Sequence, residues 1–283
     1  MGHLVPIGDT ALHVEERGDG PLAVIALHGG PGLDHTEFGW WLDPLAEEHR
    51  LVLVDGRAQG RSAPASPETW TIARFARDVD ALAAALGLGR FVVLGHSFGA
   101  FVALQHLVDA PGTAAGTVVS CGVPALRWLD GVAGELERFE PADLRDRVRA
   151  SWAREADART PQDVAALLAD QLPFHFADPR DPRIGDLRAA MATAVYAPDV
   201  LRAAATGAIA DLDVEERLPA VREPVLVLAG AHDRVCPPAA SEAIAAAIPG
   251  AALHVFADSA HMPFVEQPGE YVDVLTEFLG TLG

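Results

Sequence analysis

The chain has 283 residues, 50% of them hydrophobic, and carries 40 acidic against 21 basic side chains, a formal net charge of −19. A chain of this length buries roughly 75% of the surface that it exposes when unfolded, so it supports a large core. An acidic surface repels phosphate backbones and anionic lipid. We therefore expect neither nucleic-acid nor membrane partners.

The cysteine content and the N-terminal residues bear on disulfides, metal sites and cellular location. Cys121 and Cys236 are the 2 cysteines, too few for a disulfide framework or a zinc quartet. The segment Met1 to Pro6 lacks the basic and then apolar pattern of a secretory signal. No apolar run approaches the roughly 20 residues that cross a bilayer. We expect a cytoplasmic protein that uses no metal and no cofactor.

Short apolar runs bounded by Gly, Pro or Asp predict strands buried on both faces of a parallel sheet. The alternating segment Thr10 to Glu16 predicts a further strand before them. The runs are Leu22 to Leu27, Leu51 to Val54, Phe91 to Leu94, Thr117 to Val119, Val225 to Ala229 and Ala252 to Phe256. Helical patterns accompany them at Thr71 to Leu86, Phe98 to Val108, Ser241 to Ile248 and Gly269 to Leu279. This alternation predicts an α/β fold, a doubly wound, mostly parallel eight-stranded sheet.

The strand–helix alternation stops between Val123 and about Pro219. That stretch is rich in Ala, Arg, Asp and Glu and has helical patterns at Glu135 to Phe139, Leu144 to Glu155 and Pro161 to Leu172. It is too long for a plain connection between strands. We therefore expect a core domain of residues 1–123 and 220–283 and a helical cap, or lid, of residues 124–219.

The segment Gly95-His96-Ser97-Phe98-Gly99 lies between a predicted buried strand and a predicted helix. A serine hydroxyl is a weak nucleophile that needs a base, a fixed direction and a place for the oxyanion. A sharp strand-to-helix turn supplies the direction, and small residues two positions before and after the serine prevent clashes. The pattern predicts Ser97 as the nucleophile of a hydrolase.

A second glycine-rich turn, His28 to Gly32, follows an earlier predicted strand. Such a turn lets backbone N–H groups approach a ligand closely. In hydrolases with this elbow, one oxyanion donor comes from such a loop and the other from the residue after the nucleophile. We predict that the N–H groups of Gly30 and Phe98 form the oxyanion hole. His28 is expected to hydrogen-bond backbone and stiffen the loop.

Two later loops supply a candidate acid and a candidate base. Elbow hydrolases order their triad as Ser, then Asp or Glu, then His. Asp233 and His261 each follow a predicted strand, in that order. Loops after the carboxyl ends of parallel strands gather at one sheet edge, so we expect both residues beside Ser97. His261 would take the Ser97 proton, and Asp233 would orient the imidazole and stabilise its charge.

Four other residues compete for roles in this site. His232 and Asp258 are neighbours of the predicted acid and base and are their obvious alternatives. His254 lies inside a predicted strand, which favours a structural role. Cys236 is near the acid, but no elbow presents it, so we interpret it as a packing residue.

With these motifs assembled, the chain resembles the α/β-hydrolase superfamily over almost its whole length, and more narrowly its prolyl iminopeptidase branch. The motif H-G-G-P-G at His28 to Gly32 carries the resemblance. So does D-G-R-A-Q-G-R-S at Asp55 to Ser62, which is similar to the D-Q-R-G-x-G-x-S turn of that branch. Gly56 and Ala58 depart from that turn. The elbow Gly-His-Ser-Phe-Gly also resembles that of general esterases.

The resemblance implies a metal-independent serine aminopeptidase that removes N-terminal residues, often proline, from a small-molecule or short-peptide substrate. Members of the branch bind the free amine with lid carboxylates. Trp152-Ala153-Arg154-Glu155 is similar to that pattern, so Glu155 is the candidate; Met191 to Tyr196 offers no clear second carboxylate. Two alternatives stay open: an esterase or lactonase of a small metabolite, and a non-catalytic scaffold that binds a small ligand.

Overall fold

A computed structural model describes residues 2–282, and one eight-stranded sheet runs through its centre in the order β1-β2-β4-β3-β5-β6-β7-β8. β2 is antiparallel to both of its neighbours, and every other neighbouring pair is parallel. The strands are β1 (His3–Pro6), β2 (Ala11–Arg17), β3 (Ala23–Leu27), β4 (Arg50–Val54), β5 (Phe91–His96), β6 (Gly116–Ser120), β7 (Val225–Gly230) and β8 (Ala252–Phe256). The predicted α/β fold with a mostly parallel sheet is confirmed.

Helices flank the sheet and fill the stretch between β6 and β7. Within the described residues they are α1 (Ile72–Ala85), α2 (Phe98–Asp109), α3 (Val132–Arg138), α4 (Ala142–Trp152), α5 (Pro161–His175), α6 (Arg183–Ala190), α7 (Pro198–Ala205), α8 (Pro238–Ala247), α9 (Pro263–Glu266) and α10 (Pro268–Thr281). In residues 2–282, no helix combines the length and apolar character needed to cross a membrane.

Helix α1 shows why these segments are helical. The Thr71 side chain accepts the backbone N–H of Arg74, which satisfies one of the free donors at the helix start. Apolar side chains then recur three or four residues apart, and they are buried. These are Ile72, Phe75, Val79 and Leu82. The helix packs this stripe against the sheet and ends just before Gly87, which has φ +63°.

The core lies in two layers because successive strand residues face opposite sides of the sheet. Ile25 and Val93 pack on one side with α1 and α2. Val24 and Val92 pack on the other side with α10. Side chains on both faces of the central strands are therefore buried, and the sheet carries its carboxyl-end loops on a rigid base.

The two edges of the sheet differ from the sequence-based expectation. β1 was not predicted, because its four residues include Pro6 and only Val5 is buried. The Ala252 to Phe256 run was predicted to be buried on both faces, and this is wrong. β8 is an edge strand, and Leu253 and Val255 are each 38% exposed. An edge strand lacks a neighbour on one side, so apolar composition alone overestimates its burial.

The helical stretch after β6 begins and ends at one point of the fold. Ala125 and Asp213 form an antiparallel bridge, and the Val214 N–H donates to the Pro124 carbonyl over 2.9 Å. Between these residues, a small cluster of its own packs Phe139, Val148 and Phe174 together. The chain thus leaves the sheet, forms helices and returns beside its point of departure.

Candidate active site

Ser97 occupies a strained turn between β5 and α2, with φ +53°. This is the left-handed region, which residues with a Cβ rarely adopt. The turn brings backbone segments so close that a Cβ on Gly95 would collide with the Gly99 carbonyl. A Cβ on Gly99 would collide with the Leu27 carbonyl of β3. The two glycines therefore permit the turn that lifts the Ser97 hydroxyl above the sheet edge.

The structure brings the three predicted triad residues into one hydrogen-bonded line. The Ser97 hydroxyl donates to His261 Nε2 over 2.9 Å. The His261 Nδ1–H donates to Asp233 Oδ2 over 2.7 Å. All three side chains are buried, with Ser97 at 9% exposure, His261 at 2% and Asp233 at 6%. The arrangement can move a proton from the serine hydroxyl to the imidazole while the carboxylate holds the ring.

Burial and charge act in opposite directions on the pKa of His261. Burial alone would lower it, because a low-polarity environment disfavours the imidazolium. The charge of Asp233 and its hydrogen bond outweigh burial, and Glu37 and Glu266 add to their effect, so the pKa is raised from its ordinary value. The neighbouring His175 behaves differently. Burial, together with the charge of His261, lowers its pKa to about 4, so it is neutral near pH 7.

The glycine-rich loop lies beside Ser97, and two side chains hold it. Glu37 Oε2 accepts the Gly29 N–H over 2.6 Å, and Gln59 Oε1 accepts the Gly32 N–H over 2.6 Å. Within residues 2–282, the N–H groups of Gly30 and Phe98 donate to no protein acceptor. Both residues border the cavity that contains the Ser97 side chain. Two unpaired donors beside a serine hydroxyl can receive an oxyanion.

A cavity of about 290 Å³ opens above the Ser97–His261 pair. Apolar side chains make up most of its wall: Leu33, Ile72, Phe98, Phe101, Leu126, Leu129, Trp152, Val164, Leu167, Leu168, Leu201, Ile209, Val235 and Met262 are among them. Glu37, Glu155, Gln171 and His175 supply its polar groups beside the triad. Among the described residues, no arginine lines the cavity, and the sequence contains no lysine. The wall suits a small, largely apolar substrate.

Glu155, predicted for substrate binding, lies in this cavity wall. Its Oε1 accepts the Gln171 side-chain N–H over 2.7 Å. Burial raises the pKa of its carboxyl, and the hydrogen bond from Gln171 opposes that rise in part. The structure therefore places Glu155 where a ligand could reach it, although the residue's role stays a prediction.

The alternative candidates for the base and the acid are exposed or form hydrogen bonds outside the triad. His232 and Asp258 are exposed, and the side chains of Ser97 and His261 form their hydrogen bonds with each other and with Asp233 instead. His28 is buried and bonds backbone, with the Gly56 N–H donating to its Nε2 over 3.1 Å. His254 pairs with Glu270 on the surface at 2.8 Å. None of them can replace His261 or Asp233 in the hydrogen-bonded line.

Two clusters could be mistaken for metal sites. Ligand atoms of His13, His35 and Asp55 lie within 4.8 Å of one another, as do those of a second set, Cys121, Asp233 and His261. In the first cluster, the His35 Nδ1–H already donates to Asp55 over 2.5 Å. The Asp55 carboxylate also accepts the backbone N–H groups of His35 and Arg61 at 2.9 and 2.7 Å. In the second, burial raises the pKa of the Cys121 thiol and keeps it protonated. We assign neither cluster to a metal.

Sequence reasoning missed Glu37, Gln59, Gln171 and His175. Gln59 lies inside the Asp55 to Ser62 motif, where Gly56 leaves room for it: a Cβ at Gly56 would lie 2.6 Å from Gln59 Nε2. That close approach explains one departure from the resembled turn. Glu37 has no comparable signal, because only its contact with the Gly29 N–H reveals it.

Residues 23–268 match the family model described as the alpha/beta hydrolase fold, so the chain belongs to that family. It is similar to the proline iminopeptidase of Heyndrickxia coagulans, with 26% identity over 95% of this chain and 93% of the relative. The crystal structure of proline iminopeptidase from Mycobacterium smegmatis superposes with a TM-score of 0.78 and 26% identity, covering 100% of this chain and 98% of that one. A thermophilic esterase from Thermogutta terrifontis gives a TM-score of 0.77 and 26% identity, covering 100% and 99%. The protein is a hydrolase of the proline iminopeptidase-like kind.

Proposed function

We propose that this hydrolase works through an acyl-enzyme formed on Ser97. His261 is the general base, and the Asp233 carboxylate orients its ring. One observation carries the proposal: the hydrogen bonds from Ser97 Oγ to His261 and from His261 to Asp233 form one line at the cavity floor. The cavity gives a substrate carbonyl direct access to the Ser97 hydroxyl.

In the first half-reaction, Ser97 Oγ bonds to the carbonyl carbon while its proton passes to His261 Nε2. The carbonyl oxygen becomes an oxyanion and accepts the N–H groups of Gly30 and Phe98. The bond to the leaving group then breaks, and His261 gives its proton to the departing amine or alcohol. Water repeats these steps on the acyl-Ser97 ester, which releases the acid and restores the Ser97 hydroxyl.

Labelling with a fluorophosphonate tests this nucleophile directly. We expect one adduct on Ser97, located by peptide mass spectrometry, and none on Ser97→Ala. The Ser97→Ala variant should also lose at least ~10³-fold in turnover of any substrate found for the wild type. Wild-type protein that stays folded but gains no adduct on Ser97 would contradict the proposal.

For the substrate, we propose an amide of a small N-terminal residue, held by its free amine. Support comes from the similarity to proline iminopeptidases and from Glu155, which lines the cavity. No arginine among the described residues lines this cavity and competes with an amine for the Glu155 carboxyl. Residues 124–219 would act as the cap, because they contribute Glu155 and several apolar wall residues. Glu155 and Ser97 line the same cavity, so one small substrate bound there can contact both.

The apolar wall favours a second candidate, an esterase or lactonase of a small metabolite. A substrate panel separates the two: proline and alanine arylamides, their N-acylated forms, and short acyl esters. An aminopeptidase cleaves only the free-amine arylamides, and its KM for them rises at least ~10-fold in Glu155→Gln because a charged hydrogen bond is lost. Ester cleavage without arylamide cleavage, unchanged in Glu155→Gln, would identify the esterase.

A further inference from the structure

Glu37 is a buried acidic residue without an ionic partner. It is 2% exposed and borders the same cavity as Ser97. No lysine, arginine or histidine nitrogen within residues 2–282 forms an ion pair with it. Burial raises the pKa of its carboxyl to about 7. A buried carboxyl of this kind is costly to the fold, so its contacts are informative.

The carboxyl of Glu37 packs against and hydrogen-bonds to the loop that contains Gly30, a predicted oxyanion donor. Oε2 accepts the Gly29 N–H over 2.6 Å. A Cβ on Gly29 would lie only 2.9 Å from Oε1 and 3.0 Å from Oε2, so the side chain fills the space beside this backbone. Gly29 immediately precedes Gly30. Gln59 holds the other end of the loop through Gly32, and Glu37 thus fixes the end nearer β3.

Glu37 also acts on the charge of His261. Both side chains border the same cavity. At this separation the negative charge of Glu37 favours the imidazolium, and the positive charge of His261 favours the carboxylate. The carboxylates of Asp233 and Glu266 act on His261 in the same direction as Glu37. Within the described residues, the charge of Asp34 opposes ionisation of Glu37, and the charge of Glu37 opposes ionisation of Tyr271.

The rings of His96 and His175 lie 5.1 and 5.3 Å from that of His261. Burial lowers the pKa of both rings, so they are neutral where His261 titrates. Among the carboxylates that act on His261, Glu37 is the one that also holds the oxyanion loop.

We propose that Glu37 is a positioning residue that holds the oxyanion loop through Gly29 and stabilises the imidazolium that His261 forms during acyl transfer. The inference rests on the proposed function of Ser97, His261 and Gly30. As the Ser97 proton moves to His261, positive charge develops on the ring while negative charge develops on the substrate carbonyl oxygen, which accepts the Gly30 N–H. The charge of Glu37 stabilises the imidazolium, and its hydrogen bond to Gly29 aligns the Gly30 N–H with the oxyanion.

Two substitutions separate the charge from the hydrogen bond. Glu37→Gln keeps the size and an acceptor for Gly29 but removes the charge. Its pH profile of fluorophosphonate labelling should move to lower pH by about half a unit, because His261 loses a group that raises its pKa. Glu37→Leu also removes the acceptor and leaves the Gly29 N–H unpaired. Its labelling rate at the optimum should fall by ~10–100-fold, a loss approaching that of an oxyanion donor.

Glu47→Gln is the matched control, because Glu47 is exposed and its side chain lies outside the cavity. It removes one negative charge from the surface and should leave both the rate and the pH profile unchanged. Thermal melts and circular dichroism verify that each variant is folded. If Glu37→Leu fails to fold, the pH shift in Glu37→Gln still tests the charge.

Three results overturn the inference in different ways. Equal rates and pH profiles in wild type, Glu37→Gln and Glu37→Leu would make Glu37 a packing residue. A rise in KM confined to free-amine substrates, with kcat and the ester pH profile unchanged, would make it a substrate-binding residue. Wild-type protein that forms no Ser97 adduct would instead refute the proposed function, so the two failures are distinguishable.

Discussion

His261 and Asp233 are joined by a 2.7 Å hydrogen bond in which Nδ1–H donates to Oδ2. The second oxygen of the carboxylate, Oδ1, accepts the backbone N–H groups of Val235 and Cys236 at 2.8 and 2.9 Å. The loop after β7 therefore fixes the carboxylate independently of the histidine. This fixes the tautomer of His261 and points its unprotonated Nε2 at Ser97.

Asp233→Asn should keep the fold and lose activity. An asparagine amide can donate to Nδ1, which places the ring proton on Nε2, where it cannot accept the Ser97 proton. We expect activity to fall by about 10⁴-fold, measured as the rate of Ser97 labelling or as kcat for a substrate. Asp258→Asn, which changes the exposed competitor, is the control and should retain full activity. The reverse pattern would identify Asp258 as the acid.

Activity should decline as the pH falls through the pKa of His261. The ring must be neutral to accept the Ser97 proton, and its folded-state pKa is raised, so the decline begins above the ordinary value of 6.5. A pH profile of Ser97 labelling measures this limb. A rate that is flat from about pH 5 to pH 8 would exclude a titrating histidine base.

Gly99→Ala should disrupt the nucleophile turn. The added methyl group would collide with the Leu27 carbonyl of β3, which is backbone and cannot move aside cheaply. We expect a loss of at least about 1–3 kcal/mol in the free energy of unfolding, together with loss of Ser97 labelling. Gly89→Ala is the matched control, since nothing lies within 4 Å of its Cβ position and it is exposed. Equal stability of the two variants would contradict the close approach of α2 and β3.

Arg57 should contribute strongly to stability. It is 1% exposed, and its guanidinium donates to both oxygens of Asp78 at 2.7 and 2.8 Å. Arg57→Met leaves that buried carboxylate with the more exposed Arg74, 3.4 Å away, as its cationic neighbour. The loss of the Arg57 pair should cost up to about 3–5 kcal/mol, measured by urea denaturation. The double variant Arg57→Met/Asp78→Leu should recover much of the loss, because it removes both charges.

The control for Arg57 is Arg127→Met, which removes the ion pairs of a more exposed arginine with Asp213 and Glu215. Its loss should be about 0–1 kcal/mol. If Arg57→Met were no more destabilising than Arg127→Met, the buried pair would contribute nothing beyond a surface pair.

The central strands could be predicted because burial on both faces requires continuous apolar runs, as in Val92 and Val93 of β5. The edges could not be predicted in the same way. β8 has an apolar sequence, but the solvent exposure of its side chains depends on its position at the edge of the sheet. The order of the strands in the sheet cannot be deduced from that segment alone. β1 is so short that its pairing with β2, rather than its own pattern, makes it a strand.

The candidate site divides along a similar line. Ser97, Asp233 and His261 could be placed because each follows a strand and the carboxyl ends of parallel strands meet. Glu37 could not, because its contact with Gly29 depends on how the short helix His35–Phe38 folds back on the loop. A glutamate that tertiary packing buries cannot be distinguished in the sequence from a glutamate on the surface.

The bridge between Ala125 and Asp213 also bears on how such a protein can diversify. Because the two ends of the intervening helical stretch meet, that stretch can change in length or composition while the distance between β6 and β7 stays the same. New wall residues such as a replacement for Glu155 can then arise without disturbing the strands that hold Ser97 and its partners. The residues beside Ser97 and the residues of the cavity wall can therefore change independently during evolution.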